Sequence, residues 1–513
     1  MLNKKSLILF LLIVIKFLLH YFLIDKGYYL HRDEYLHLDQ AKHLAWGYDS
    51  VPPVTSWISW IILKLGNGVF WIKFFPALFG ALTIGMVWKT TAMLGGNLFA
   101  MITASVAVLV SAILRLNILY QPNSLEVLCW TAFYYTLIRY IISGKSKWLY
   151  ITAIIIAVGF LNKYNIIFVL LGLLPALVLS SHRKLFLNRH FYFAIVLVLL
   201  LVSPNIIWQV QNSFPVFHHL KELNDTQLVN VNRADFLKEQ LLFFIGSFFI
   251  VLAAFISFFV YPPFKKFQLF FWGYLFSMVL YVYLKAKGYY AIGLYPVLLA
   301  FGAVYIEHLL QHGWRKYLRP AIVLIPILMA IPFINIGFPS KSPDVLQKKL
   351  PVYKSFGLLR WEDGKDHNLP QDFADMLGWS ELARKVDSAY AEIPDKEHTL
   401  VYCDNYGQAG AINYYSKYKN INAVSLNADY IDWFPPADKE IKNVILVQEP
   451  NDDDPGRKRE RTLFETVLNK GKIENKYARE YGAGIYSLIN ANTSISAIFQ
   501  KEIAERKKKI GFQ

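Results

Sequence analysis

Long uninterrupted apolar runs constrain this chain more than any other feature. LILFLLIVIKFLLHYFLI begins at Leu7 and YFAIVLVLLLVSPNII at Tyr192. A hydrocarbon core is crossed by roughly 20 apolar residues in a helix, and runs of this length are rarely buried in soluble domains. Composition agrees: 55% of the 513 residues are hydrophobic and 18% are charged, against about a quarter charged in soluble proteins. The formal net charge of +16 would suit a nucleic-acid binder. The lysines and arginines sit mainly in short connections between apolar runs, so they read as topogenic charges. Nucleic acid is not an expected partner.

Apolar spans fall near 6–24, 69–92, 97–118, 121–142, 148–161, 163–181, 190–211, 239–262, 267–285, 289–310 and 318–338, about eleven in all. The first is an uncleaved helix, since Leu23-Ile24-Asp25-Lys26 offers no small-residue cleavage site. Lys16 and His20 within it are unusual, and Lys16 is expected to face neighbouring helices in a structural role. With Lys4 and Lys5 cytoplasmic, alternate connections should be basic. They hold Lys145 and Lys147, then His182, Arg183, Lys184 and Arg189, then Lys265 and Lys266, then Arg315, Lys316 and Arg319. This register puts the N-terminus in the cytoplasm and everything after residue 339 outside; the expected location of this multi-pass chain is a plasma (inner) membrane. The expected fold is mainly α, a polytopic transmembrane domain over 1–339 with two large outer loops, 25–67 and 212–238.

Residues 340–490 are less hydrophobic and change period. Helices are expected at Trp379–Ile393, Gln408–Tyr418 and Arg459–Leu468, and strands at Thr399–Cys403 and Val444–Val447. That alternation predicts a small extracytoplasmic α/β domain. Residues 491–513 read as a frayed basic tail. Cys129 and Cys403 sit in unrelated regions and imply no disulfide or thiolate metal site. Asp452-Asp453-Asp454 lacks the spaced ligands and glycine of a calcium loop and reads as a solvated turn.

Chemistry concentrates in the first outer loop, HRDEYLHLDQAKHLAWGYDSVPP. Asp33 and Glu34 are adjacent carboxylates just past the first span. Carboxylates at a membrane edge have partners or work to do, and one of them can take a proton from an acceptor hydroxyl. An ordinary solvated loop end accounts for the pair equally well on composition alone.

The order Arg-Asp-Glu-x-Tyr, His43-Leu-Ala-Trp-Gly-Tyr-Asp49 and Pro52-Pro53 resembles the first loop of the bacterial protein-mannosyltransferase-like family. These are GT-C fold enzymes of glycosyltransferase family 39, a group that includes the lipid A aminoarabinose transferases. The resemblance continues through Gln121-Pro-Asn-Ser-Leu-Glu-Val-Leu-Cys-Trp130, Leu161-Asn-Lys-Tyr164, Pro204-Asn-Ile-Ile-Trp208, Lys287-Gly-Tyr-Tyr290, Leu294-Tyr-Pro296 and Asn405-Tyr-Gly-Gln-Ala-Gly-Ala411. Each motif is short; their shared order is the specific signal. The resemblance implies a polyprenyl-phosphate-sugar donor and an envelope lipid, glycan or protein acceptor, with membrane lipids around both. It implies that Asp33 is the catalytic base, with Glu34 sharing or shaping that role. It places Lys287, Tyr289 and Tyr290 at the donor phosphate, and puts Lys163 at a matching position. Arg32 joins Lys287 as a candidate to stabilise the departing phosphate, where negative charge develops. Relatives carry aspartate where this chain has Asn123, and threonine where it has Asn162; Glu126 is the nearest substitute carboxylate.

His218 and His219, in the second large loop, would suit zinc or manganese if His31, Asp33 and Glu34 approached them. No spacing demands a metal, and no cofactor is firmly implied. Two competing readings share the architecture. One is a transporter or lipid flippase, which would favour inverted repeats and a mid-membrane site; neither is visible. The other is an inactive envelope assembly protein, against which Asp33, Glu34 and Lys287 argue.

Overall fold

The computed structural model describes residues 3–450, 454 and 456–510; Asp452, Asp453 and the terminal Gly511-Phe512-Gln513 lie outside these. Helix α1 (Lys4–Phe22) enters the bundle and ends in a loop leading to α2 (Arg32–Asp39) and α3 (Val54–Lys64). The bundle continues with α4 (Val69–Met93), α5 (Leu98–Leu109), α6 (Ala112–Leu116), α7 (Asn123–Ser143), α8 (Lys147–Asn162), α9 (Ile166–Leu179) and α10 (Arg189–Gln211). Then come α11 (Pro215–Thr226), α12 (Arg233–Phe243), α13 (Phe248–Val260), α14 (Gln268–Tyr283), α15 (Tyr295–Leu309) and α16 (Arg319–Gly337).

Among the described residues, six helices are long and apolar enough to cross a membrane, or eight if two bent pairs each count as one. This is a multi-pass membrane protein. Every expected span contains helix, but two are broken. The 97–118 run stops at Val110-Ser111, where Ser111 caps α6 through its hydroxyl. The 239–262 run bends by 98° between α12 and α13. α3 adds a helix inside what reads as loop in the sequence. Lys16 and His20 turn into the bundle, each 1% exposed.

Burial ranks the helices. The span ending in α15 is 83% buried, whereas that ending in α16 is 11% buried, so α15 forms the centre and α16 faces lipid. Small residues let helices meet closely: a Cβ on Gly302 of α15 would collide with the carbonyl oxygen of Ile250 of α13, and one on Gly172 of α9 would collide with Ser277 of α14. Membrane helices associate through such close van der Waals contact because lipid supplies no hydrophobic drive.

Beyond α16 come the short α17 (Pro343–Gln347), α18 (Leu350–Ser355) and α19 (Gln371–Ala374), then α20 (Trp379–Glu392) and α21 (Tyr406–Tyr415). A five-stranded sheet has the order β2-β1-β3-β5-β4, built from β1 (Thr399–Cys403), β2 (Ala423–Ser425), β3 (Asn443–Gln448), β4 (Phe464–Lys472) and β5 (Gly484–Ala491). β1 pairs parallel with β2 and β3; β5 runs antiparallel to β3 and β4. The expected helix at 459–468 is corrected to a single turn, α22 (Glu460–Leu463), followed by strand β4. The expected frayed tail is corrected over its described part: α23 (Ile495–Ile510) buries Ile495, Phe499 and Ile503, with Phe499 packed against Tyr402 and Phe434.

This C-terminal domain is not a separate globule. Tyr35, Leu36, Leu38, Ile118 and Tyr120 from one end of the bundle share a single core with Phe373, Trp379, Ala409, Ile412 and Tyr430 from the domain. The bundle therefore has a capped end, which bears α2, and a far end.

Candidate active site at the capped end of the bundle

α2 begins at the junction of bundle and domain, and its N-terminus is a capping box. His31 Nδ1 accepts from the Asp33 N–H at 3.2 Å, while Glu34 Oε2 accepts from the His31 N–H at 2.6 Å. The box separates the two adjacent carboxylates. Glu34 turns inward with no exposed surface. Lys73 Nζ of α4 reaches its oxygens at 2.6 and 2.9 Å, and the Tyr120 N–H adds a third donor at 2.6 Å. Both oxygens are used by the protein, so Glu34 ties α2 to α4 and the 118–120 segment and offers no face to a substrate.

Asp33 turns outward and keeps 34% of its side chain accessible. Tyr406 Oη donates to Oδ1 at 2.6 Å and Gln121 Nε2 to Oδ2 at 2.9 Å. Burial pushes its carboxyl up, but His31, Arg32 and the Tyr406 hydrogen bond outweigh burial and hold it down at about 2. Asp33 is thus ionised throughout the physiological range. Arg32 lies over the Tyr406 ring at 4.4 Å.

A ladder of polar groups leads away from Asp33. Gln121 Oε1 accepts from Asn123 Nδ2 at 3.0 Å, and Asn123 Oδ1 accepts from Lys163 Nζ at 2.8 Å. Lys163 also bonds Glu126 Oε2 at 3.0 Å and lies 4.6 and 5.3 Å from the Tyr290 and Tyr289 ring centres. Asn165 Nδ2 holds the other Glu126 oxygen at 2.6 Å. Glu126 is therefore the counter-ion of Lys163, and Asn123 is a link, each buried.

Lys287 stands in the turn before the final buried span. Its Nζ donates to Gln227 Oε1 and Glu362 Oε1, both at 2.6 Å. Burial lowers its basicity, but Glu362 outweighs that and raises it, with Asp33 contributing at longer range. Glu362, held by Gln371 Nε2 at 2.9 Å, is correspondingly depressed against the upward push of burial by Lys287.

Two further motifs find their purpose in anchoring. Asn205 Nδ2 of α10 donates to the Trp46 carbonyl at 2.7 Å, and a Cβ on Gly47 would lie 2.3 Å from the Trp208 ring. The Pro204–Trp208 segment thus pins the loop that follows α2. Asn162 Nδ2 donates to the Pro122 carbonyl at 2.9 Å and fixes the start of α7.

The structure brings Asp33, Arg32, Lys163, Lys287, Tyr289 and Tyr290 to one junction, and it turns Glu34 away from it. The histidines do not converge on one point: His219 Nδ1 approaches Asp49 at 4.0 Å, while His31 stays beside Asp33, with Nδ1 3.7 Å from Oδ2 and Nε2 3.5 Å from Asp375. Among the described residues, no group of three or more His, Cys, Asp or Glu side chains is placed to hold a metal ion. Sequence reasoning passed over Lys73, Gln121, Gln227, Glu362 and Tyr406. Lys73 carried a signal, being a lone cation in the apolar run VFWIKFF. Glu362 carried none, and Tyr406 stood in a motif that gave it no role, because their partners are 75 and 373 positions away.

An apolar bundle around α15, capped by an α/β domain, with ionised groups collected where the two meet, defines a membrane protein of the GT-C fold. Residues 50–208 match the family described as dolichyl-phosphate-mannose-protein mannosyltransferase. Two crystal structures of ArnT from Cupriavidus metallidurans share the fold. The one bound to undecaprenyl phosphate aligns with a TM-score of 0.60 at 13% identity, covering 93% of this chain and 97% of that chain. The apo form aligns with a TM-score of 0.58 at 13% identity and the same coverage. No curated protein matches the sequence.

Proposed function

We propose that this protein is a membrane glycosyltransferase that moves a hexosyl or pentosyl group from a polyprenyl-phosphate carrier to an envelope lipid, glycan or protein. The carrying observation is Asp33, an accessible and permanently ionised carboxylate in electrical reach of Lys287 at the junction of bundle and domain. The fold shared with ArnT, one of whose structures holds undecaprenyl phosphate, supports a lipid-phosphate donor here.

In the reaction, the bond between the sugar's anomeric carbon and the phosphate oxygen breaks, and its electron pair leaves with the phosphate. Lys287 receives that charge, with Arg32 and Lys163 nearby; preorganised cations act where charge develops. The acceptor oxygen attacks the opposite face, so configuration inverts, and its proton passes to Asp33. An aspartate near 2 is a weak base. It suffices when the leaving group departs early, because the oxocarbenium-like carbon acidifies the attacking hydroxyl. Tyr289 and Tyr290 line the donor side, and Glu34 positions α2 rather than touching substrate.

Orientation follows from charge. α7 starts at the capped end and ends 21 residues later, about 30 Å away, so the connection holding Lys145 and Lys147 lies at the far end. Basic connections mark the cytoplasmic side, which supports a reading with Asp33 and the C-terminal domain outside a plasma (inner) membrane.

The test is transfer from a panel of radiolabelled undecaprenyl-phosphate sugars, with membrane extract as acceptor source, in reconstituted protein. Wild type should transfer at least one sugar, and Asp33→Asn should lose on the order of 10²- to 10⁴-fold. No transfer from any donor, by protein that remains folded, overturns the reading in favour of a transporter or flippase. Undiminished transfer by Asp33→Asn overturns the assignment of the base.

A further inference from the structure

α21 of the C-terminal domain packs directly against the helix that bears Asp33, and its sequence is built for that approach. Asn405 caps it, its Oδ1 accepting from the Gln408 N–H at 3.0 Å. One face then presents Tyr406, Gly407, Gly410 and Asn413, spaced by three and four residues as a helix face requires. A Cβ on Gly407 would lie 3.2 Å from Arg32 Cβ, and one on Gly410 would lie 2.6 Å from Tyr35 Cβ. The two glycines let the helices meet almost backbone to backbone. At the far end of the contact Asn413 Nδ2 donates to Asp39 Oδ2 at 2.7 Å. At the near end the Tyr406 hydroxyl arrives 2.6 Å from Asp33 Oδ1, with its ring against the Arg32 guanidinium.

Asp33 is consequently gripped from two bodies. Gln121 of the bundle holds Oδ2 and Tyr406 of the domain holds Oδ1. A carboxylate fixed at both oxygens is fixed in rotation, and reacting groups held in an attack geometry gain large rate factors. A phenol donor suits this place: it orients the carboxylate, stays protonated because burial pushes it up, and takes no proton from the acceptor.

We propose that Tyr406 is a positioning residue for Asp33, so that the C-terminal domain supplies part of the reacting centre and is not an accessory cover. The proposal rests on the reading of Asp33 as the group that receives the acceptor proton.

The experiment is a double-mutant cycle in the reconstituted full-length protein, using the undecaprenyl-phosphate sugar that the wild type transfers. Tyr406→Phe keeps the ring against Arg32 and removes only the hydroxyl. Its kcat should fall on the order of tenfold with the donor KM unchanged. Tyr406→Phe added to Asp33→Asn should cost nothing further, since a residue acting through Asp33 has nothing left to position. Asn413→Ala, which loosens the same helix pair without touching Asp33, should leave kcat within about twofold. Additive losses in the cycle, or an equal loss in Asn413→Ala, would reduce Tyr406 to a structural contact and overturn the proposal. If Asp33→Asn retains full activity, or no donor is transferred, the reading beneath it fails instead.

Discussion

Glu34 and Lys73 form an ion pair with Nζ–Oε contacts of 2.6 and 2.9 Å, closed off from solvent between α2 and α4. A buried pair gains little net stability over apolar residues, but removing one partner strands the other's charge, at roughly 3–5 kcal/mol. Lys73→Met should therefore lower the melting temperature sharply. Adding Glu34→Gln, which removes the stranded charge and keeps an acceptor for the Tyr120 N–H, should restore part of the loss. A Lys73→Met protein as stable as wild type would show that the pair does not tie α2 to α4.

The contact between Lys287 and Glu362 predicts a competition. Glu362 puts an anionic oxygen 2.6 Å from the ammonium group assigned to the donor phosphate, and two anions repel at that range. Glu362→Gln should bind undecaprenyl phosphate roughly fivefold more tightly, about the 1 kcal/mol that a part-exposed charge pair is worth. Lys287→Ala should bind it less tightly. Vesicle-based titration of both variants decides the matter, and weaker binding by Glu362→Gln would mean that Glu362 helps Lys287 rather than competes for it.

The sequence was most legible where a single physical demand ruled. The apolar runs had to span a membrane, and each expected span holds helix. β1 and the core of β3 were readable as short β-branched, apolar runs. β4 was not. Leu463, Phe464, Val467 and Leu468 carry helical spacing, yet this edge strand pairs with β5 from Phe464 to Lys472, and tertiary pairing overrides such local signals. In α23, charge hid a genuine helical stripe of Ile495, Phe499 and Ile503. At the site, Asp33 was legible because it stands in a motif. Its separation from Glu34 was not, since it depends on a capping box and on Lys73 reaching from another helix. Tyr406 was quoted in a motif but had no readable role, because its partner lies 373 positions away.

Asp49 makes stability depend on pH. Burial pushes its carboxyl up to about 8, helped by Asp429, Glu222 and Asp432. A carboxyl raised in the fold binds its proton more tightly there than when unfolded. It adds stability at low pH, and that stability is lost as pH rises from about 4, the unfolded value, to about 8. Asp49→Asn mimics the protonated group at every pH. It should raise the melting temperature at pH 9 by more than it does at pH 5, with a gain of order 1–3 kcal/mol at the higher pH. Equal effects at the two values would place the Asp49 titration outside this window.

Asn123 tests whether the polar ladder beside Asp33 needs an amide at this position. The ladder from Lys163 through Asn123 and Gln121 to Asp33 has one polarity, with every donor pointing toward the carboxylate. An aspartate at this position would keep the Lys163 contact but turn an oxygen toward Gln121 Oε1, which now receives the Asn123 amide. Gln121 would have to flip, and its bond to Asp33 would go. The new charge would also join Glu126 on a single lysine and repel an incoming phosphate. Asn123→Asp should therefore lower kcat by about tenfold, the ~1.4 kcal/mol of one good hydrogen bond, and raise the donor KM several-fold. Measured with the donor that wild type transfers, an Asn123→Asp enzyme as fast as wild type would show that the ladder does not hold Asp33 and that the position still accepts a second carboxylate.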